Sequence, residues 1–281
     1  MDRLPQLCTI NLISKKMKVI LITGASSGIG EAMAHKFAER KRNLLLVARN
    51  AEKLDTLCKQ MAEKYGIKTQ FISADLAKPG KAEQIFSETK HRGLEVEMLI
   101  NNAGIGSGGE FSELALETEM EMLQLNISSL VALTHMFLGE MKKRNNGTII
   151  NVASMASFIP IPYMATYSAS KVFVRHFTQA LTQECKPYHV HIMLLCPGLT
   201  KTNFNHAAGM DGEVGRRLNA EYNSSTPLQT PDQVAEELLN ALDKRKHYIV
   251  SGSMNRMASR LSALLPHAFI AKSFARSYRK K

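Results

Sequence analysis

A tyrosine and a lysine four residues apart, Tyr167 and Lys171, carry the most specific chemical suggestion in this sequence. The stretch Tyr163-Met-Ala-Thr-Tyr167-Ser-Ala-Ser-Lys171 reads as the start of a helix, on which positions i and i+4 share a face. A phenol beside an ammonium is easier to ionise, because the positive charge favours the tyrosinate. Tyr167 then becomes a usable proton donor or acceptor near neutral pH, which an isolated tyrosine is not. The same spacing also fits a surface lysine one turn from a half-buried tyrosine. What accompanies the pair has to decide between the two readings.

The first companion is Thr23-Gly-Ala-Ser-Ser-Gly-Ile-Gly30. Lys18 to Thr23 before it is β-branched and almost continuously apolar, the pattern of a strand buried on both faces. Glu31 to Arg40 after it carries helical periodicity. A glycine-rich turn between a parallel strand and a helix brings main-chain N–H groups and the positive helix end against a diphosphate. Gly24, Ser26, Ser27, Gly28, Ile29 and Gly30 are thus candidates to bind a dinucleotide. The second strand ends at Ala48-Arg49, where an NAD-preferring fold usually places a carboxylate. With alanine at 48 and a planar cation at Arg49, able to grip a 2′-phosphate, NADP(H) is the expected cofactor and NAD(H) the lesser choice.

The spacing Gly24-x-x-x-Gly28-x-Gly30 departs from the G-x-G-x-x-G fingerprint and matches the TGxxxGIG of the short-chain dehydrogenase/reductase family. Further markers of that family follow in order: Ala74-Asp75-Leu76, Asn101-Asn102-Ala103-Gly104, Asn126, Ser154, Tyr167 with Lys171, and Cys196-Pro197-Gly198. The chain therefore resembles the family over about residues 17–250. The resemblance implies an α/β fold of Rossmann type, doubly wound, with a mostly parallel seven-stranded sheet and helices on both faces. It implies a tetrad of Asn126, Ser154, Tyr167 and Lys171. It places Asp75 and Leu76 by the adenine, Asn101 in support of the central sheet, and Asn102, Ala103 and Gly104 near the nicotinamide-side ribose. Pro197, Gly198 and Thr200, with Thr202 beyond them, would meet the nicotinamide itself.

The implied reaction interconverts a carbonyl and a secondary alcohol by hydride transfer. As the carbon accepts hydride its oxygen gains negative charge, and needs a proton and hydrogen bonds that strengthen in the transition state. Tyr167 would give the proton, Lys171 would stabilise the tyrosinate and hold the ribose, and Ser154 would hold the substrate oxygen. Asparagine is a poor helix-interior residue, so Asn126 suggests a local kink and, from the family, a bound water. Candidate substrate residues are Met155 and Phe158 just beyond Ser154, with Ala156, Ile159, Pro160 and Ile161 beside them, and Phe204 and Met210 further on. This lining is apolar, which points to a hydrophobic, lipid-like carbonyl or alcohol. The alternative is a non-catalytic dinucleotide sensor or scaffold on the same fold, which would normally lack one of the tetrad.

The remaining elements alternate strand and helix, as in a parallel sheet covered on both faces. Strands are expected at about 43–48, 68–73, 97–101, 148–153, 190–195 and, edge-like, 247–250. Helices are expected at about 51–65, 79–91, 118–143, from Tyr163 to about 186, and from Pro231 to 244. Residues 198–230, rich in Gly, Asn, Ser and Thr, are expected to form a substrate lid. Residues 1–16 read as a dispensable extension.

Net charge is +11. It would raise nucleic acid as a partner were it spread over a face, but after Asp243 there is no acidic residue, and 251–281 hold seven basic ones. No nucleic-acid role is expected. Met254, Met257, Leu261, Leu264 and Leu265, then Phe269, Ile270 and Phe274, lie at helical spacing beside these cations. Such a tail suits an interfacial helix on an anionic membrane, or equally an amphipathic helix packed on its own domain or a sister subunit. The four cysteines show no paired or metal-like spacing, so no metal and a reduced, cytoplasmic setting are expected. No run of about 18 uncharged apolar residues was found that would span a bilayer. A homodimer or homotetramer, in contact with the cytosolic face of a membrane through 251–281, completes the expectation.

Overall fold

The computed structural model describes residues 16–202, 204 and 228–278. Seven strands form one parallel sheet: β1 (Met17–Thr23), β2 (Leu44–Ala48), β3 (Thr69–Ser73), β4 (Leu94–Asn101), β5 (Gly147–Val152), β6 (Val190–Cys196) and β7 (Tyr248–Val250). Their order across the sheet is β3-β2-β1-β4-β5-β6-β7. The direction of winding reverses between β1 and β4, and β7 lies at the edge.

The alternating faces of β1 explain the double winding. Ile20 and Ile22 pack with Met33 and Phe37 of α1 (Gly28–Glu39), Leu54 and Met61 of α2 (Ala51–Tyr65), and Val234 of α7 (Pro231–Asp243). Val19 and Leu21, one residue out of phase, face Ile85 of α3 (Lys81–His91) and Leu133 and Phe137 of α5 (Leu130–Lys143). Each such fully buried aliphatic side chain contributes about 1.5–3 kcal/mol. Helix α1 is further tied to α7 by the bidentate pair Arg40–Asp243, at 2.7 and 2.8 Å. Thr230 caps α7 in a capping box with Gln233, and Pro231 occupies its first turn.

Strand β4 begins three residues earlier than its apolar run suggests. Glu95 and Glu97 occupy its half-exposed alternate positions, where they face Lys18 at 3.8 Å and Arg42. The expected helix at 118–143 runs from Leu116 to Lys143, but its middle, Gln124–Ser129, is a π-helical turn between α4 (Leu116–Leu123) and α5. An 18-residue window within this stretch has a mean hydropathy of 1.3, which is, by length and composition, apolar enough to cross a membrane. The sequence expectation of no such stretch is corrected on this point. Its apolar side chains Leu133, Phe137 and Met141 lie instead against the sheet, in the way of a core helix.

Helix α6 (Ala165–Glu184) starts two residues after Tyr163, whose backbone is left-handed, with φ at +65°. Beyond β7 come α8 (Ser253–Ser262) and α9 (His267–Tyr278). Arg256, a tail cation with no acidic neighbour in sequence, pairs with Glu237 of α7 at 2.8 Å and donates to the main-chain oxygen of Val250. Ile270 is buried, and Phe274 packs inward. Among the described residues Cys58, Cys185 and Cys196 are free and buried. Cys8, Met210, most of 198–230 and the last three basic residues lie outside the described residues.

Candidate active site

The C-terminal ends of β1, β4, β5 and β6 converge where the sheet reverses its winding, the place where open α/β sheets bind ligands. Between β1 and α1, Gly24 and Gly28 have φ of +65° and +58°. A Cβ on Gly30 would stand 2.2 Å from the main-chain oxygen of Gly24, so only glycine lets the helix start this close to the strand. Ser27 precedes α1 without capping it by its side chain, which leaves its first-turn N–H groups free of a side-chain cap. Asn102 holds the turn to the end of β4. Its Nδ2 donates to the main-chain oxygens of Thr23 (3.0 Å) and Gly24 (3.3 Å), while the Thr23 hydroxyl accepts from the N–H groups of Asn102 and Ala103.

Arg49 is exposed at the end of β2, and its main-chain oxygen accepts from the Ser73 hydroxyl at 2.9 Å. Asp75 is half-buried and accepts from the N–H of Ala77, and Leu76 beside it is buried. Thr202 closes over the glycine turn, with its Cγ2 3.0 Å from where a Gly28 Cβ would stand. Thr200 donates to the main-chain oxygen of Gly198. Gly198 itself has no room for a side chain, because Asn255 of α8 lies against it.

Two of the tetrad candidates, Asn126 and Lys171, meet at Gly104. Lys171 is 5 % exposed, and its Nζ donates to the main-chain oxygen of Val152 at 3.1 Å. Burial pulls its ammonium down from the usual lysine range to about 8. Lys171 Nζ also lies 5.9 Å from the centre of the Tyr167 ring. A Cβ on Gly104 would come within 3.2 Å of both Lys171 Nζ and Asn126 Oδ1, so the glycine keeps space open beside the ammonium. Ser154 follows β5, where its hydroxyl accepts from the N–H of Ala156 at 3.1 Å. A glycine-lined gap next to a buried ammonium, together with an uncapped helix start, fits a dinucleotide cofactor.

Asn126 accounts for the π turn. Its Oδ1 accepts from the N–H of Ile105 at 3.1 Å, and its Nδ2 donates to the Ile105 main-chain oxygen at 2.9 Å. The same Nδ2 also donates to Ser170 at 3.0 Å, and Ser170 donates onward to the main-chain oxygen of Tyr167. The wide turn aims one side chain at both the β4 loop and α6. Asn101 bridges Thr134 of α5 and Asn151 of β5, each at 2.9 Å, beneath this layer.

The candidate substrate residues divide between two clusters. Ala156, Ile159, Ile161 and Phe204 pack with Tyr167, and the Phe204 ring lies 5.5 Å from the Tyr167 ring. Phe158 belongs to the other cluster, among Val174, Leu194 and Cys196, with the Arg175 guanidinium 4.2 Å over its ring. Met155 also packs there. The short 3₁₀ turn Met155–Ser157 separates alternate side chains onto the two sides. Sequence reasoning missed Ile105, Met122, Met164 and Phe274 in the Tyr167 cluster. Ser170 was legible within the Tyr-Lys motif, whereas nothing local marks Phe274, more than a hundred residues away.

The family model for short chain dehydrogenases matches residues 18–212. The chain belongs to the short-chain dehydrogenase/reductase family. It is 31% identical to dehydrogenase/reductase SDR family member 7B of Bos taurus, over 93% of this chain and 82% of that protein. A short-chain dehydrogenase from Sphingobium yanoikuyae in complex with NADPH is 28% identical, with a TM-score of 0.78, over 94% of this chain and 96% of the other. A family member from Burkholderia phymatum in complex with NAD is 26% identical, with a TM-score of 0.76, over 88% and 92%. This chain is thus an oxidoreductase of the type that uses NAD or NADP to interconvert alcohols and carbonyls.

Proposed function

We propose that this short-chain dehydrogenase/reductase is an NADP(H)-preferring enzyme acting on a hydrophobic, lipid-like ketone or secondary alcohol. The observation that carries the reading is Tyr167 itself. It stands one helical turn from the buried Lys171 and is enclosed by Met122, Ile161, Met164, Phe204 and Phe274. In this reading the turn from Gly24 to Gly30 holds the diphosphate and Arg49 the adenosine phosphate, while Asp75 and Leu76 lie at the adenine. Asn102, Ala103, Gly104 and Lys171 take the nicotinamide side, with Pro197, Gly198 and Thr200. The bound cofactor supplies the hydride. Tyr167 holds the proton at its phenolic oxygen, Ser154 fixes the substrate oxygen, and Asn126 keeps the β4 loop in place beside α6. Arg49 favours NADP(H), since no carboxylate at Ala48 opposes an extra phosphate.

A panel of ketones of graded chain length, followed by NADPH absorbance, tests this. Turnover that improves with chain length supports it. Tight NADPH binding with no turnover of any ketone or alcohol would favour the non-catalytic sensor instead.

The tail supports a second reading, of location. Met254, Met257 and Leu261 on α8, Leu264 and Leu265 in the connection after it, and Phe269 on α9 are all exposed, with Arg260, Lys272 and Arg276 exposed among them. This face suits the cytosolic surface of an anionic membrane, with the enzyme assembled as a homodimer or homotetramer.

A further inference from the structure

Two buried polar side chains close in sequence to members of the Tyr167 cluster, Glu119 and Ser107, have side-chain oxygens without a hydrogen-bond partner. Glu119 lies on α4 between exposed residues: Glu117, Thr118 and Met120 all face outward. Glu119 alone among them turns in, at 4 % exposure, and neither of its carboxylate oxygens has a hydrogen-bond partner. Met122, three residues on and therefore on the same helix face, packs directly in the cluster with Tyr167. Ser107 is 3 % exposed and its hydroxyl is likewise unpartnered. It follows Gly106, where a Cβ would touch the Phe204 ring at 3.0 Å and the Tyr167 ring at 3.4 Å, and Ile105 two residues before it joins the same cluster.

Burying a carboxylate without a partner is strongly unfavourable, and folded proteins keep few such groups without a use for them. A carboxylate only accepts hydrogen bonds, whereas a serine hydroxyl both donates and accepts. Their neighbours belong to the apolar wall around Tyr167: Met122 on the helix face of Glu119, and Gly106 next to Ser107. The group that would satisfy them is a hydrogen-bond donor, a hydroxyl or an ammonium, carried by an otherwise apolar molecule. We infer that Glu119, with Ser107, forms the polar end of the substrate pocket and selects ketones bearing a hydroxyl or ammonium group away from the carbonyl. This rests on the reading of the Tyr167 site as a reductase, and it narrows the substrate from purely hydrophobic to amphiphilic.

The probes are two series of methyl ketones of graded chain length, one ending in a hydroxyl or ammonium and the other in a methyl group. The wild-type enzyme should favour the donor-terminated ketone by about tenfold or more in kcat/KM at one or two chain lengths. Glu119→Leu should erase that preference through KM, while leaving kcat on the methyl-terminated ketone near normal. Glu119→Gln should keep the preference for a hydroxyl but lose that for an ammonium. No preference in the wild type at any length, or a preference that survives Glu119→Leu, would overturn the proposal. A readout independent of turnover is thermal unfolding of the cofactor-free protein. Glu119→Leu should raise Tm, since it removes an unpartnered buried carboxylate, and a lowered Tm would mean that Glu119 is a structural partner and no ligand group. If the wild type turns over neither series, the reductase reading fails. The polar end is then judged by whether the same compounds, as alcohols, raise Tm more when donor-terminated in the wild type than in Glu119→Leu.

Discussion

Lys171 reaches across from α6 to donate its Nζ to the main-chain oxygen of Val152, two residues before Ser154. This contact fixes the ammonium at the end of β5, so the strand that delivers Ser154 and the helix that delivers Tyr167 share one charge. The cost is desolvation, which brings the lysine from 10.5 down to about 8.

That cost gives the first prediction. With the folded value below the unfolded one, the unfolded chain binds more protons between about pH 8 and 10.5, so this group's contribution to stability rises with pH across that window. Below about pH 8 the burial penalty is present in full, at about 3 kcal/mol. Lys171→Met should therefore raise the stability of the cofactor-free protein at pH 7, by up to that amount, while removing turnover. Denaturant unfolding at pH 7 and pH 10 checks it: the gain should shrink at the higher pH. A loss of stability at pH 7 would show that the ammonium is compensated in place.

Tyr167→Phe should leave NADPH binding intact and lower turnover by at least the ~10²-fold typical of a lost general acid. Fluorescence titration of the cofactor and steady-state rates on the best ketone read the two effects separately. Near-normal turnover in this variant would remove Tyr167 from the chemistry.

Arg49 is exposed, so solvent weakens whatever it grips. NADPH should still bind more tightly than NADH. Arg49→Ala should erase most of the difference, about 1.5 kcal/mol or roughly tenfold, the low end for a charge-assisted contact. Equal wild-type affinities for the two cofactors would refute the assignment.

The tail prediction calls for point substitutions, because α8 and α9 also serve the site. Asn255 lies against Gly198, Arg256 pairs with Glu237, and Phe274 joins the Tyr167 cluster. Removing them would disturb more than a surface. Met257 and Leu261 are exposed, and Met257→Glu with Leu261→Glu should abolish sedimentation with anionic liposomes while NADPH affinity stays unchanged. Wild-type binding should weaken with salt without vanishing, since the apolar part is unscreened. If the wild type ignores anionic liposomes at low salt and the double variant instead lowers the oligomer mass, the face belongs to a sister subunit.

The chain by itself determined whatever depends on local order along the backbone. Short, mostly continuous apolar runs between helical stretches located all seven strands to within a few residues. The glycines at 24, 28 and 30, the Tyr-Lys pair and the unusual helix-interior Asn126 are marked by residue type and spacing, because turn geometry, the helical repeat and poor helix propensity are local properties. Only the tertiary structure decided what depends on which surfaces meet. It assigned Phe158 to the cluster of Val174 and Cys196 and Phe204 to that of Tyr167, although both are simply aromatic in sequence. It drew Arg256 to Glu237 and turned Phe274 onto the Tyr167 cluster. It also buried Glu119 in a run of four residues whose other three, all polar or flexible, face outward. Packing is a property of pairs far apart in the chain, and no periodicity within one element records its partner.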